Sequence, residues 1–132
     1  MQLRDRARLL LRKARDDEFA VLKLSPDPQS PDPIIGFHAQ QAVEKGLKAV
    51  LALNNVVYPR THDLVLLIDL LKDAGVALPE ALDDVRRLNP FAVTVRYGDL
   101  SDESEEPFDR AWAIESVRGC WPGPRKRCCE GW

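Results

Sequence analysis

The sequence predicts an all-α domain, and three observations carry that expectation. Apolar residues recur at three- and four-residue spacings along most of the chain, the spacing that lines one face of a helix. Proline, glycine and asparagine interrupt the pattern at helix-length intervals. The single β-branched run, Val93-Thr94-Val95, has no second strand to pair with and is assigned to a helix with a frayed end.

The first helix is expected over Leu3 to Leu24, where Leu3, Ala7, Leu10, Leu11, Ala14, Val21 and Leu22 alternate with Arg and Asp. It stops at Ser25 to Pro33, where four prolines in eight residues remove amide donors and disfavour helix in the residues before them. A second helix runs from about Ile35 to Leu53 and closes at Asn54-Asn55, because asparagine tolerates the left-handed conformation of a helix end. Thr61 is the expected cap of a third helix, with Asp63 complementing its dipole, Leu64, Leu67, Ile68 and Leu71 as its buried stripe, and Gly75 as its stop.

Pro79 suits the first turn of a short helix ending at Leu88, and Asn89-Pro90 opens another through Tyr97. Gly98 to Pro107 holds five acidic residues and no basic one, the composition of a solvated loop. A last helix from Phe108 to about Arg118 carries Ala111, Trp112, Ile114 and Val117. Beyond Arg118 the periodicity stops, and Pro122 and Pro124 oppose helix, so residues 119–132 are expected to form an irregular tail after a domain spanning 1–118.

A chain of 132 residues with 45% apolar and 30% charged residues, net charge -2 and pI near 5.7 has the balance of a single globular domain. That balance excludes a strongly basic nucleic-acid binder of the whole-surface kind, and no DNA partner is expected. No apolar run reaches the roughly 20 residues that span a bilayer, and the charged Met1 to Arg6 start does not suit a secretory signal. A cytoplasmic protein without a membrane partner is expected. Cys120, Cys128 and Cys129 all fall in the last thirteen residues, so no disulfide framework and no zinc spacing is present.

The stretch from Phe37 to Leu51 concentrates the functional groups. At about 100° per residue, His38, Gln41, Glu44, Lys45 and Lys48 share one edge of a helix whose other side is Ala39, Val43, Gly46, Leu47, Val50 and Leu53. His38, Gln41 and Lys45 form a donor row able to hold a phosphate or a nucleotide edge. The same residues equally suit interhelical pairing, with Lys45 and Lys48 on Glu44 or on acidic groups of a neighbouring helix. Arg96-Tyr97 with Asp99 is the second cluster: a guanidinium that forks onto phosphate beside a phenol that stacks, or else an ion pair that fastens a helix.

Three stretches resemble the HEPN family (higher eukaryotes and prokaryotes nucleotide-binding). Phe37-His38-Ala39-Gln40-Gln41-Ala42-Val43-Glu44-Lys45 is similar to its signature helix, Pro59-Arg60-Thr61-His62-Asp63-Leu64 to its P-x-T-H-D-L, and Asn89 to Asp99 to its T-P-Y-A-V-x-A-R-Y-P-x-D segment. The resemblance implies an all-α, antiparallel four- to five-helix HEPN-type bundle, usually dimeric. Its members include ribonuclease toxins and non-catalytic partners of minimal nucleotidyltransferases.

The ribonuclease members carry R-x4-6-H, and here neither His38 nor His62 follows an arginine by five to seven positions. Without that imidazole the family's hydrolytic mechanism lacks its acid/base group. The expectation is therefore a component that binds a nucleotide or a minimal nucleotidyltransferase in a toxin-antitoxin-like pair, a homodimer with no cofactor, metal or catalytic residue. Its ligand-binding residues are expected to be His38, Gln41, Lys45, Arg96 and Tyr97. A metal-independent endoribonuclease of the HEPN type and a purely structural dimerisation module are the alternatives.

Overall fold

A computed structural model describes residues 3–78, 84–92 and 108–119. Four α-helices, α1 (Leu3–Leu24), α2 (Asp32–Leu53), α3 (Leu64–Asp73) and α4 (Arg110–Gly119), are joined by a 3-10 turn at Val85–Leu88; among the described residues there is no strand. α2 lies at the centre and packs on α1 along its length, on α3 and on α4. Pairing is antiparallel between α1 and α2: Asp17 meets His38 and Lys45, whereas Arg6, about three turns earlier on α1, lies over the Tyr58 ring just beyond the far end of α2.

The core is built from the faces that share helical phase. Ala7, Leu11, Ala14 and Val21 of α1 meet Ile35, Ala39, Ala42, Val43, Leu47, Val50 and Leu51 of α2. Leu64, Leu67 and Leu71 of α3, Val85 and Leu88 of the 3-10 turn, and Ala113 and Val117 of α4 complete it, with Ile68 only partly covered. Alanines at Ala7, Ala14, Ala39 and Ala42 let α1 and α2 approach closely, so burial runs nearly all the way round α2.

α2 begins at Asp32, three residues before the expected Ile35, because Pro33 sits in the first turn, where the missing amide costs no hydrogen bond. Its other end closes as the asparagines require: Asn55 takes φ 59°, and the Val56 amide reaches back to the Leu51 carbonyl at 2.9 Å. α3 closes the same way, with Gly75 at φ 80° and the Val76 amide on the Leu71 carbonyl at 3.0 Å. The cap of α3 differs from the expectation. Asp63, not Thr61, accepts the Val65 amide, and the Thr61 hydroxyl instead accepts the Asp63 amide at 3.0 Å to set the turn before it.

α4 keeps most of its expected face, with Val117 in the core and Trp112 and Ile114 packed against it, and departs from it at Ala111. Ala113, Ser116 and Val117 are buried while Ala111 is exposed, with Asp109 capping through the Trp112 amide at 3.0 Å. Arg110 at the start of α4 grips the link between α1 and α2. Its guanidinium donates to the carbonyls of Ser25, Asp27 and Ser30 at 2.8, 2.9 and 2.6 Å and to the Asp32 carboxylate at 2.9 Å. The expected helix start at Pro79, most of the segment through Tyr97, the acidic loop and the tail 120–132 lie outside the described residues.

Candidate functional site

The polar edge of α2 lies at two seams between helices. On the α1 seam, the Asp17 carboxylate accepts from Lys45 Nζ at 2.6 Å through one oxygen and pairs with His38 Nδ1 at 2.9 Å through the other. Asp17 is largely covered, with its side chain 12% exposed, while His38 and Lys45 keep 30% and 24% of theirs in solvent. The carboxylate thus orients an imidazole and an ammonium about two turns apart on the same helix face. Lys45 has two further N–H protons, and the Nε2 position of His38 is not the one on Asp17.

Glu44 organises the second seam, toward the segment entering α3. It accepts from Gln40 Nε2 at 2.9 Å and Lys48 Nζ at 3.0 Å, and pairs with His62 Nδ1 at 2.9 Å. Gln40 also donates to the His62 backbone carbonyl at 3.1 Å, and Gln41 Nε2 donates to the Gln40 side-chain Oε1 at 2.7 Å. Burial pushes the Glu44 carboxyl upward, but hydrogen bonds from Gln40, His62 and Lys48 and the Lys48 charge outweigh it and hold the group below the ordinary glutamate value. Glu44 is therefore a buried anion kept charged by its donors.

The third family-like stretch joins the same assembly. Asn89 donates to the Asp63 carboxylate at 3.1 Å and accepts the Leu64 amide at 2.9 Å, so it completes the cap of α3 from outside the helix. Two residues on, the Phe91 ring packs against Gly36: a Cβ built there would stand 2.5 Å from the nearest ring carbon. Only a glycine admits that ring. Phe91 also meets Phe108 edge-on at 5.3 Å between centroids, which brings the approach to α4 to the start of α2.

Of the expected ligand-binding residues, the structure places His38, Gln41 and Lys45 on consecutive turns of α2, with Gln41 buried against Gln40. Arg96 and Tyr97 lie outside the described residues. Lys45 on Asp17 and Lys48 on Glu44 form the interhelical and same-helix pairs that the donor row equally suited. Asp17 and Gln40 are polar partners that sequence reasoning did not single out, and Asn89, expected to open the next helix, serves the start of α3 instead. Helical phase carried a signal for Asp17, which lies seven residues after Leu10 and seven before Leu24, both partly buried against the core.

A long central helix with carboxylate-linked polar contacts at both seams places the protein among small all-helical bundle domains. The family model of the HEPN domain matches residues 7–117, and the chain belongs to the HEPN family. No curated protein and no solved structure matches the chain. Among the described residues no helix is long and apolar enough to cross a membrane.

Proposed function

We propose that this protein is a non-catalytic HEPN component that works as a homodimer in the cytoplasm, binds a nucleotide, and pairs with a minimal nucleotidyltransferase in a toxin-antitoxin-like system. One observation carries the proposal: within a HEPN chain, both histidines stand where R-x4-6-H cannot form. The bundle of residues 1–118 is the working unit, with 119–132 appended to it. The nucleotide site is bordered by His38, Gln41 and Lys45 on α2 and by Arg96 and Tyr97 from the segment that follows Phe91.

Two contacts support that placement. Phe91 rests on Gly36, two residues before His38, and Arg96 and Tyr97 follow Phe91 closely in the sequence. Asp17 presents Lys45 and His38 in fixed orientation, leaving the donors that a phosphate needs. Calorimetric titration with ATP and other nucleotides tests the site. Lys45→Ala and Arg96→Ala are each expected to weaken binding with the fold intact, and added salt to weaken it further. Parent-like affinity in both variants would remove the site.

The endoribonuclease reading has one feature in its favour, the partly exposed His38 imidazole oriented by a covered carboxylate, a geometry that suits a general base. Incubation of purified protein with RNA in chelator separates the two. No cleavage is expected; robust cleavage abolished by Arg96→Ala or His38→Ala would make the enzyme reading the primary one.

A further inference from the structure

The outer face of α1 carries a line of cations that the nucleotide proposal does not use. Arg4, Arg8, Arg12, Arg15 and Lys23 follow one another at spacings of four, four, three and eight residues, and Phe19 fills the gap between the last two. At about 100° per residue these six side chains occupy an arc of roughly 100°, which flanks the arc of Ala7, Leu11, Ala14 and Val21 without overlapping it. All six are exposed. The line is about 28 Å long at 1.5 Å per residue.

Two properties set this face apart from an ordinary solvated helix surface. Among the described residues, Arg4, Arg8, Arg12 and Arg15 have no ion-pair or hydrogen-bond partner, although Asp5 and Asp16, both exposed, border the line. The face thus concentrates five positive charges against two negative ones, in a chain whose net charge is -2. Phe19 is 61% exposed, and Lys23 Nζ lies over its ring, 5.4 Å from the centroid, so the ring stands largely in water near the end of the line with a cation against one face.

We propose that the outer face of α1 binds a single-stranded polynucleotide, with Arg4, Arg8, Arg12, Arg15 and Lys23 following its phosphates and Phe19 offering its ring to a base. A row of guanidiniums fits phosphates because each fork can take two oxygens. An exposed aromatic placed within such a row is the stacking platform that single strands use without regard to sequence. An acidic protein surface would satisfy the charges but leaves the exposed ring unexplained. This face is separate from the His38 and Lys45 seam and stands whether or not a mononucleotide binds there.

Fluorescence anisotropy with a labelled 20-nucleotide RNA of mixed sequence, repeated with DNA of the same sequence and at several salt concentrations, tests the proposal. The parent is expected to bind RNA with a log affinity that falls linearly with log salt. Triple substitution Arg8→Gln, Arg12→Gln and Arg15→Gln should flatten that slope by about two, at roughly 0.7 for each phosphate contact removed. Phe19→Ala should weaken binding about tenfold with the slope unchanged. All four positions are exposed, and unchanged thermal melts confirm that the variants fold. Equal binding of both strands means that the phosphates dominate, and tighter RNA binding that the 2′-hydroxyl contributes; either supports the surface. Failure of both strands to bind, a triple variant with parental affinity and slope, or a triple variant that alters only the sedimentation-derived size would overturn it, the last by making the face an interface between copies.

Discussion

Glu44 shows how much one residue can hold together. It collects Gln40, Lys48 and His62, so the signature helix and the segment that opens α3 share a single buried anion. Because the folded carboxyl releases its proton more readily than the unfolded one, its contribution to stability is fully present above the ordinary glutamate range, about pH 5 and higher. It is lost as pH falls through the lowered folded value. Urea midpoints measured across this acid range should decline more steeply for the parent than for Glu44→Gln; parallel curves would show that the pairing does not couple to folding. Gly36 makes an opposite point, since its importance lies in what it lacks. Gly36→Ala gains about 1 kcal/mol of helix propensity but drives a methyl group into the rigid Phe91 ring, a clash of about 1–3 kcal/mol, so a net loss of stability is expected. Combining it with Phe91→Leu should cost less than the two single changes added together, and strict additivity would mean that the ring moves aside freely.

At the scale of elements, the ends of the helices decide where the polar groups stand. The cap of α3 is assembled from two distant pieces, Asp63 within the segment and Asn89 from beyond the 3-10 turn. Asp63→Ala should cost about 1 kcal/mol and be read as a lower melting temperature, with Asn89→Ala adding less than its own separate cost because both serve the same first turn. Melting temperatures equal to the parent's in both would mean that water caps the helix equally well. The boundaries of α1 and the closures at Asn55 and Gly75 were legible in the sequence, since periodicity and left-handed residues act locally. The choice between Thr61 and Asp63 was not, because both suit a cap and a contact 26 residues away at Asn89 favours one of them. On α4 the expected Trp112, Ile114 and Val117 do face the core, but Ala111 does not: it is small enough to read as core, while Ser116 is buried by donating its hydroxyl to the Trp112 carbonyl at 2.9 Å.

For the molecule as a whole, α2 is the axis on which the remaining elements converge. Leu47 is fully buried at its middle, and Leu47→Ala should lower unfolding free energy by about 2–5 kcal/mol, measured by chemical denaturation; an unchanged midpoint and slope would take it out of the core. That α2 carries both the core and a polar edge was visible from helical phase alone. That the edge lies at two seams was not, because Asp17 is 21 and 28 residues from its partners and the pairing depends on how α1 and α2 are set against each other. The three family-like stretches meet through Glu44 with His62, Asp63 with Asn89, and Phe91 with Gly36, the residue just before the first stretch. Much of what makes them recognisable is therefore the stitching of one stretch to the next.

The Arg110 contacts also impose an order of events on a chain made from its N-terminus. The α1 and α2 hairpin rests on neighbours close in sequence and can form early, whereas the carbonyls of Ser25, Asp27 and Ser30 wait for a side chain 80 to 85 residues further on. Until α4 has emerged, the proline-rich link must rely on water and its own turns. A nascent chain should therefore carry a protease-sensitive neck between its first two helices, one that closes only when the last helix docks.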